Sequence, residues 1–428
     1  MTPPPPAPPA GPPAAHSPGP LPAGPQPAPP AELAIDLMNG AFFANDPYPA
    51  YAWLREHAPV FRDEANDLWA LASYRDVKAA STDTAVFSNA GGIRPKFPPL
   101  PMMIDFDAPE HVRRRRLVSA GFTPRRVREM EDHIRAICDR VIDQVCEQGS
   151  CDFVRDVAAP LPLAVIGDML GVADDDRDDL LRWSEEMLQS QGSLTQEAME
   201  RAAQAFVEYT AYMDPVLADR QASGQDDDLV GVLANAVVDG DRLDHDSLIH
   251  ETLLILVGGD ETTRHVITGG MLALQEHPAQ RDQLIDDPSL IPGAVEEMLR
   301  WVTPIKNMAR TVTRDVEVGG RELHEGDEVL LLYPSANRDA EIFDDPDAFD
   351  ITRRPNPHLA FGFGAHFCLG NQLARLELRI MFERLLARLP DLALAGPGPF
   401  PEREANFISG IETMPVSFTP AAPVGSAA

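Results

Sequence analysis

Phe361-Gly362-Phe363-Gly364-Ala365-His366-Phe367-Cys368-Leu369-Gly370 is the stretch on which the reading of this chain turns. It brings a single cysteine to the expected first turn of an amphipathic helix over 369–389. Backbone N–H groups and the positive end of a helix dipole stabilise a negative sulfur there. Glycines let such a loop approach a flat ligand without Cβ clashes. A phosphate loop is excluded, because Gly362, Gly364 and Gly370 fit neither the GxGxxG nor the GxxxxGK[ST] spacing. An isolated cysteine is more often a small buried hydrophobe than a ligand. The ten-residue context points instead to a metal-bound thiolate.

A second constellation, Gly258-Gly259-Asp260-Glu261-Thr262-Thr263, follows the apolar run 253–257 inside a helical pattern over 246–276. An acid beside an alcohol in mid-helix is costly unless it has work to do. Thr262 is spaced to bond the carbonyl of Gly258, four residues back, which would open a groove at the two glycines. A solvated helix break is the bland alternative.

Two further patterns are weaker alone. Glu297 and Arg300 stand three apart on one helix face, where they can pair. His111 and Arg115 stand four apart and share one face, beside the run Arg113 to Arg116. For Arg113, Arg114 and Arg116 a solvated basic face is the plainer reading. His250-Glu251 lacks the second histidine of HExxH, and no GxSxG elbow occurs.

Together these motifs resemble the cytochromes P450, whose haem-binding loop the ten residues around Cys368 fill at every fixed position. The resemblance implies a mainly α fold with minor β, the haem lying between a long central helix and the Cys-loop helix. It implies haem b (iron protoporphyrin IX) with Cys368 as axial thiolate, whose electron donation favours O–O cleavage. His111, Arg115, Arg310 and His366 are then cationic anchors for the haem propionates. Phe361, Gly362, Gly370, Gly258 and Gly259 border the cofactor. Thr262 and Glu261 match the acid–alcohol pair that delivers protons, while Glu297, Arg300 and Arg353 match a structural ion-pair cluster. Substrate-lining positions are Phe97, Met102, Met103, Val257 and Ile305.

Several stretches are similar to the actinobacterial sterol 26/27-hydroxylases. They include Met102-Met103-Ile104-Asp105, Arg264-His265 after the central motif, Glu297-Met298-Leu299-Arg300-Trp301, Pro357-His358-Leu359-Ala360 and Ala405-Asn406-Phe407-Ile408-Ser409-Gly410. That branch implies terminal-methyl hydroxylation of cholesterol or cholest-4-en-3-one. Terpenoid, fatty-acid and macrolide hydroxylases are the alternatives within the family. A non-catalytic haem-binding sensor, or a peroxide-driven haem enzyme, is the alternative outside it. O2 is the expected co-substrate, with electrons from NAD(P)H through a ferredoxin reductase and a ferredoxin. Arg125, Arg126 and Arg128 extend the basic patch that would steer an acidic ferredoxin.

Composition agrees. The chain has 428 residues, 44% hydrophobic and 24% charged, with 36 basic against 67 acidic residues and a formal charge of −31, which disfavours nucleic acid. Cys138, Cys146, Cys151 and Cys368 show neither CxxC spacing nor disulfide density, so a reducing cytoplasm is expected. No apolar run approaches a bilayer span, and no signal peptide is legible.

Much of the excess of 42 prolines falls in 1–30, read as a disordered tail. One domain is expected over 31–420 and a flexible tail over 421–428. Helical patterns also cover 127–146, 161–170, 174–189, 196–219 and 293–301. Strand-like pieces are 60–71, 316–318 and 329–332, the last two read as flanking a Gly319-Gly320 hairpin turn.

Overall fold

The 32-residue helix His245–Glu276 is the axis about which a computed structural model of the chain is organised. Residues 26–192, 195–226, 228–237 and 240–424 are described. Asp244 caps this central helix, its side chain accepting from Ser247 N at 2.8 Å. It ends at Glu276 because Pro278 denies its predecessor, His277, a helical conformation. Leu253, Leu256, Val266, Ile267, Met271 and Leu274 are buried on different faces of the helix, so it runs through the core. Pro160–Met169, Ile291–Val302 and Asn371–Arg388 pack against it.

The other patterned helices appear with shifted ends. The 127–146 segment is two helices, Pro124–Glu129 and Glu131–Val145, divided at Met130. Gln196–Ser223 accommodates Pro215 and is closed by Gly224 in the left-handed region at φ 66°. Helices over Tyr48–His57 and Tyr74–Thr82 escaped the sequence reading, since each is too short to declare a period.

A five-stranded sheet covers one side. Its spatial order is Val60–Asp63, Leu68–Leu71, Glu328–Leu331, Met308–Val312, Phe87–Ser88. Only the Leu68–Leu71 and Glu328–Leu331 pair is parallel. The expected hairpin partner was wrong: across Gly319-Gly320, Val316–Val318 pairs with Arg321–Leu323. Residues 329–331 instead join the large sheet, where Leu330 and Leu331 are buried on its two opposite faces, which a two-stranded hairpin could not both cover. Arg310 lies inside strand Met308–Val312.

Residues 1–25 and 425–428, most of the first expected tail and half of the second, lie outside the described residues. The parts described are tied down. Gln26 exchanges two hydrogen bonds with the backbone of Arg62, at 2.6 and 3.1 Å. Ala421 N donates to Cys146 O at 2.8 Å and Val424 N to Asp143 Oδ1 at 3.0 Å.

Candidate active site

The cysteine loop holds one 3-10 turn, Gly364–His366, and Cys368 itself lies outside any helix. Gly362 and Gly364 take φ of 68° and 75°, the left-handed region that favours glycine, and Cys368 N closes the loop on Phe361 O at 2.9 Å. Helix Asn371–Arg388 begins three residues after Cys368, so the cysteine precedes the first turn expected to carry it. The effect on the sulfur survives this shift. Burial raises the Cys368 thiol, while the N–H groups of Gly370 and Asn371 and the charges of Arg115 and Arg375 act to lower it.

Cys368 lies at one end of a cavity of about 500 Å³ lined mainly by apolar side chains. His111, Arg115, Arg310, His366, Phe361, Gly362 and Gly370 border it, as do Gly258, Gly259 and Thr262 from the central helix. The glycines differ in reason. A Cβ on Gly258 or Gly370 would meet no atom within 4 Å, whereas one on Gly259 would strike Ile166 Cδ1 at 2.4 Å. Gly259 is therefore demanded by helix packing as well as by the cavity.

Thr262 Oγ1 donates to Gly258 O at 2.9 Å, the back-bond its spacing predicts. Glu261, one residue earlier, does not line the cavity. It is fully buried and ion-paired with Arg264 and with Arg403 Nη1 at 3.0 Å, and the His265 ring, lowered to about 4 by burial, has its Nε2 3.3 Å away. Burial pushes its carboxyl up, but the His265 hydrogen bond and the Arg264 and Arg403 charges outweigh it and hold the group ionised. Its neighbour Asp260 is buried with both oxygens unpartnered, so its carboxyl is raised by burial and by Glu261.

The basic cluster is a site built for an anion. The His111 and His366 rings stack at 3.9 Å between centroids. Burial, then His111, Arg310 and Arg115, push His366 down to about 3. Arg115 donates to Phe367 O at 2.5 Å and Arg310 to Ala309 O at 2.7 Å. Among the described residues, neither arginine forms an ion pair with a carboxylate. Buried like charges of this kind are stable only around an anionic group. A flat macrocycle bearing carboxylates, ligated by a thiolate and approached by glycines, fits these residues.

Arg114 departs from the solvated reading. It is buried, donating to Glu110 Oε1 at 2.6 Å, Pro101 O at 2.9 Å and Glu251 Oε1 at 3.0 Å. Arg113 pairs with Glu110, and Arg116 is exposed. Phe97, Met102, Met103, Val257 and Ile305 all line the cavity. Glu297, Arg300 and Arg353 meet as a buried cluster away from it.

Residues 104–390 match the cytochrome P450 family. The chain belongs to the cytochrome P450 family. This P450 is 53% identical over 392 residues to a steroid C26-monooxygenase of Mycolicibacterium smegmatis, covering 91% of this chain and 97% of that one. It is 54% identical over 394 residues to a steroid C26-monooxygenase of Mycobacterium tuberculosis, covering 91% and 98%. Among solved structures, CYP109E1 from Bacillus megaterium in complex with testosterone superposes with a TM-score of 0.80 at 31% identity, covering 87% of this chain and 99% of that one.

Three features of this P450 were not read from its sequence. Glu377 lines the cavity from the helix after the cysteine, flanked by buried Leu376 and Leu378, and an acid within that apolar stripe was the available signal. His250 lines it from the central helix. Arg403, 142 residues from Glu261, left no local signal at all.

Proposed function

We propose that this P450 inserts one oxygen atom from O2 into a terminal methyl, C26 or C27, of a steroid side chain, with cholesterol or cholest-4-en-3-one as substrate. The identity of 53% and 54% to steroid C26-monooxygenases over nine-tenths of the chain carries this reading. The apolar cavity leading to Cys368 supports it, because a sterol side chain offers dispersion contacts and no polar handle.

When bound, the haem supplies oxygen activation and C–H insertion. Cys368 Sγ would ligate its iron, Arg115 and Arg310 would neutralise its carboxylates, and His111 and His366 would hydrogen-bond them. Phe97, Met102, Met103, Val257 and Ile305 exclude water and press the side chain against the reacting end. Thr262 Oγ1 presents protons at the cavity. Glu261, held ionised behind it, takes them up on the side of the half-buried Arg403.

Electrons come from NAD(P)H through a ferredoxin reductase and a ferredoxin in the cytoplasm. The exposed Arg116, Arg125 and Arg128 form the basic face for an acidic donor. Among the described residues no helix is long and apolar enough to cross a membrane.

Carbon monoxide added to the reduced protein tests the ligand: a red-shifted Soret band is expected, and its absence removes Cys368 as thiolate. A titration of the ferric protein with each sterol tests the substrate by its low-spin to high-spin change. Mass analysis of products formed with ferredoxin and reductase then separates a hydroxylase from a haem sensor, which would bind and not turn over. No sterol response would redirect the search to branched lipids, the class named for a relative at 37% identity, the methyl-branched lipid omega-hydroxylase of Mycobacterium tuberculosis.

A further inference from the structure

One polar side chain lines the cavity from the N-terminal part of the central helix with no role in holding a cofactor. His250 lines the cavity with Phe206, Met199 and Leu253, and its ring lies 5.3 Å from that of Phe206. It precedes Thr262 by twelve residues on one unbroken helix. At 1.5 Å per residue that places it about 18 Å from Thr262 along the axis. This is the reach of an extended sterol from its terminal methyl to its ring-A oxygen. A sterol with its side chain at the Thr262 end therefore brings its one polar atom to the level of His250. The other cation lining the cavity away from the cysteine loop, Arg94, is already committed to Asp105 at 2.6 Å.

The ring's hydrogen bonding decides what it can recognise. His250 Nδ1 lies 2.7 Å from Asp246 O, an acceptor only, so the Nδ1 proton is held there. In the neutral ring Nε2 then carries a lone pair and accepts. A hydroxyl can donate to it; a ketone cannot.

We propose that His250 is the residue that recognises the ring-A oxygen, and that it favours a 3β-hydroxy sterol over the matching 3-oxo sterol. The inference rests on the sterol reading above and deepens it. His250 touches neither the thiolate loop nor the proton-delivering threonine, so it sets selectivity and not the chemical step.

The test is a spectral titration of ferric holoprotein with cholesterol and with cholest-4-en-3-one. The quantity read is the ratio of the two dissociation constants in wild type and in His250→Phe. Differences in sterol solubility cancel between the two proteins. One hydrogen bond corresponds to a fall of about threefold to tenfold in the preference for the hydroxyl. The carbon monoxide spectrum and the hydroxylated carbon should stay unchanged, and His250→Leu supplies a second variant should the phenylalanine protein fail to retain haem. An unchanged ratio with both sterols bound overturns the role of His250 alone. Wild type that responds to neither sterol overturns the substrate reading and this inference with it.

Discussion

Glu297 and Arg300 meet through two hydrogen bonds of 2.6 and 2.8 Å, and neither side chain is exposed to solvent. The remaining Arg300 donors reach the carbonyls of Asn337, Pro346 and Ala348 at 2.8 to 2.9 Å. Glu297 in turn accepts from Asp350 N at 2.9 Å, Asn356 Nδ2 at 3.1 Å and Arg353 Nε at 3.3 Å. The pair thus joins helix Ile291–Val302 to the segment that leads into the cysteine loop.

Removing Arg300 leaves the buried Glu297 with Arg353, at 3.3 Å, as its cationic partner. Arg300→Leu should cost about 3–5 kcal/mol and yield protein with little haem, read by thermal melting and by the reduced carbon monoxide spectrum. Retention of both at wild-type levels would contradict the structural role.

Thr262 Oγ1 sits at the cavity with its proton on Gly258 O. Thr262→Ala should bind sterol as wild type does but lower product formed per NAD(P)H consumed by about a hundredfold, the low side of general acid catalysis. Thr262→Ser, which keeps the hydroxyl, should recover most of it. Coupling equal to wild type in the alanine variant would refute proton delivery by Thr262.

Burial, with the Asp260 charge added, raises the Glu377 carboxyl to about 8. In the unfolded chain it returns to the ordinary value near 4.3. Between these values the folded state binds the extra proton, so the stabilising contribution is whole below about pH 4.3 and lost as pH rises to about 8. Glu377→Gln should flatten that decline, by about 1.4 kcal/mol per pH unit at most. Thermal midpoints of both proteins from about pH 5 to 8 decide it, and parallel curves would sink the assignment.

Glu251 Oε1 accepts from Met103 N at 2.8 Å and from Arg114 Nη1 at 3.0 Å, fastening the Met102-Met103 wall of the cavity to the central helix. Glu251→Leu strands the buried Met103 N–H and leaves Arg114 held by Glu110 and Pro101 O alone. It should weaken sterol binding about tenfold while leaving the thiolate spectrum intact, as a spin-state titration would show. Unaltered affinity would mean the loop is held by other contacts.

Much of the site was legible from local chemistry. The glycine–cysteine loop, the Gly258 to Thr263 stretch and the Glu297–Arg300 pair each lie within ten residues of chain, where turn conformation, back-bonding and helix-face spacing act. Phe97, Met102, Met103, Val257 and Ile305 were expected as substrate-lining positions from the family resemblance alone, and each borders the cavity.

The sequence by itself therefore determined the family, the thiolate and the helix that faces it, because those follow from contacts between near neighbours. Only the tertiary structure decided that Glu261 faces Arg403 instead of the cavity, and that Arg114 is buried against Glu251 instead of solvated. It also decided that Glu328–Leu331 joins Leu68–Leu71 in parallel and not a neighbouring hairpin. The physical reason is common to all three. Each partner lies more than a hundred residues away and was selected by which buried charge or apolar face remained to be covered once the core closed, a condition no local window of sequence contains.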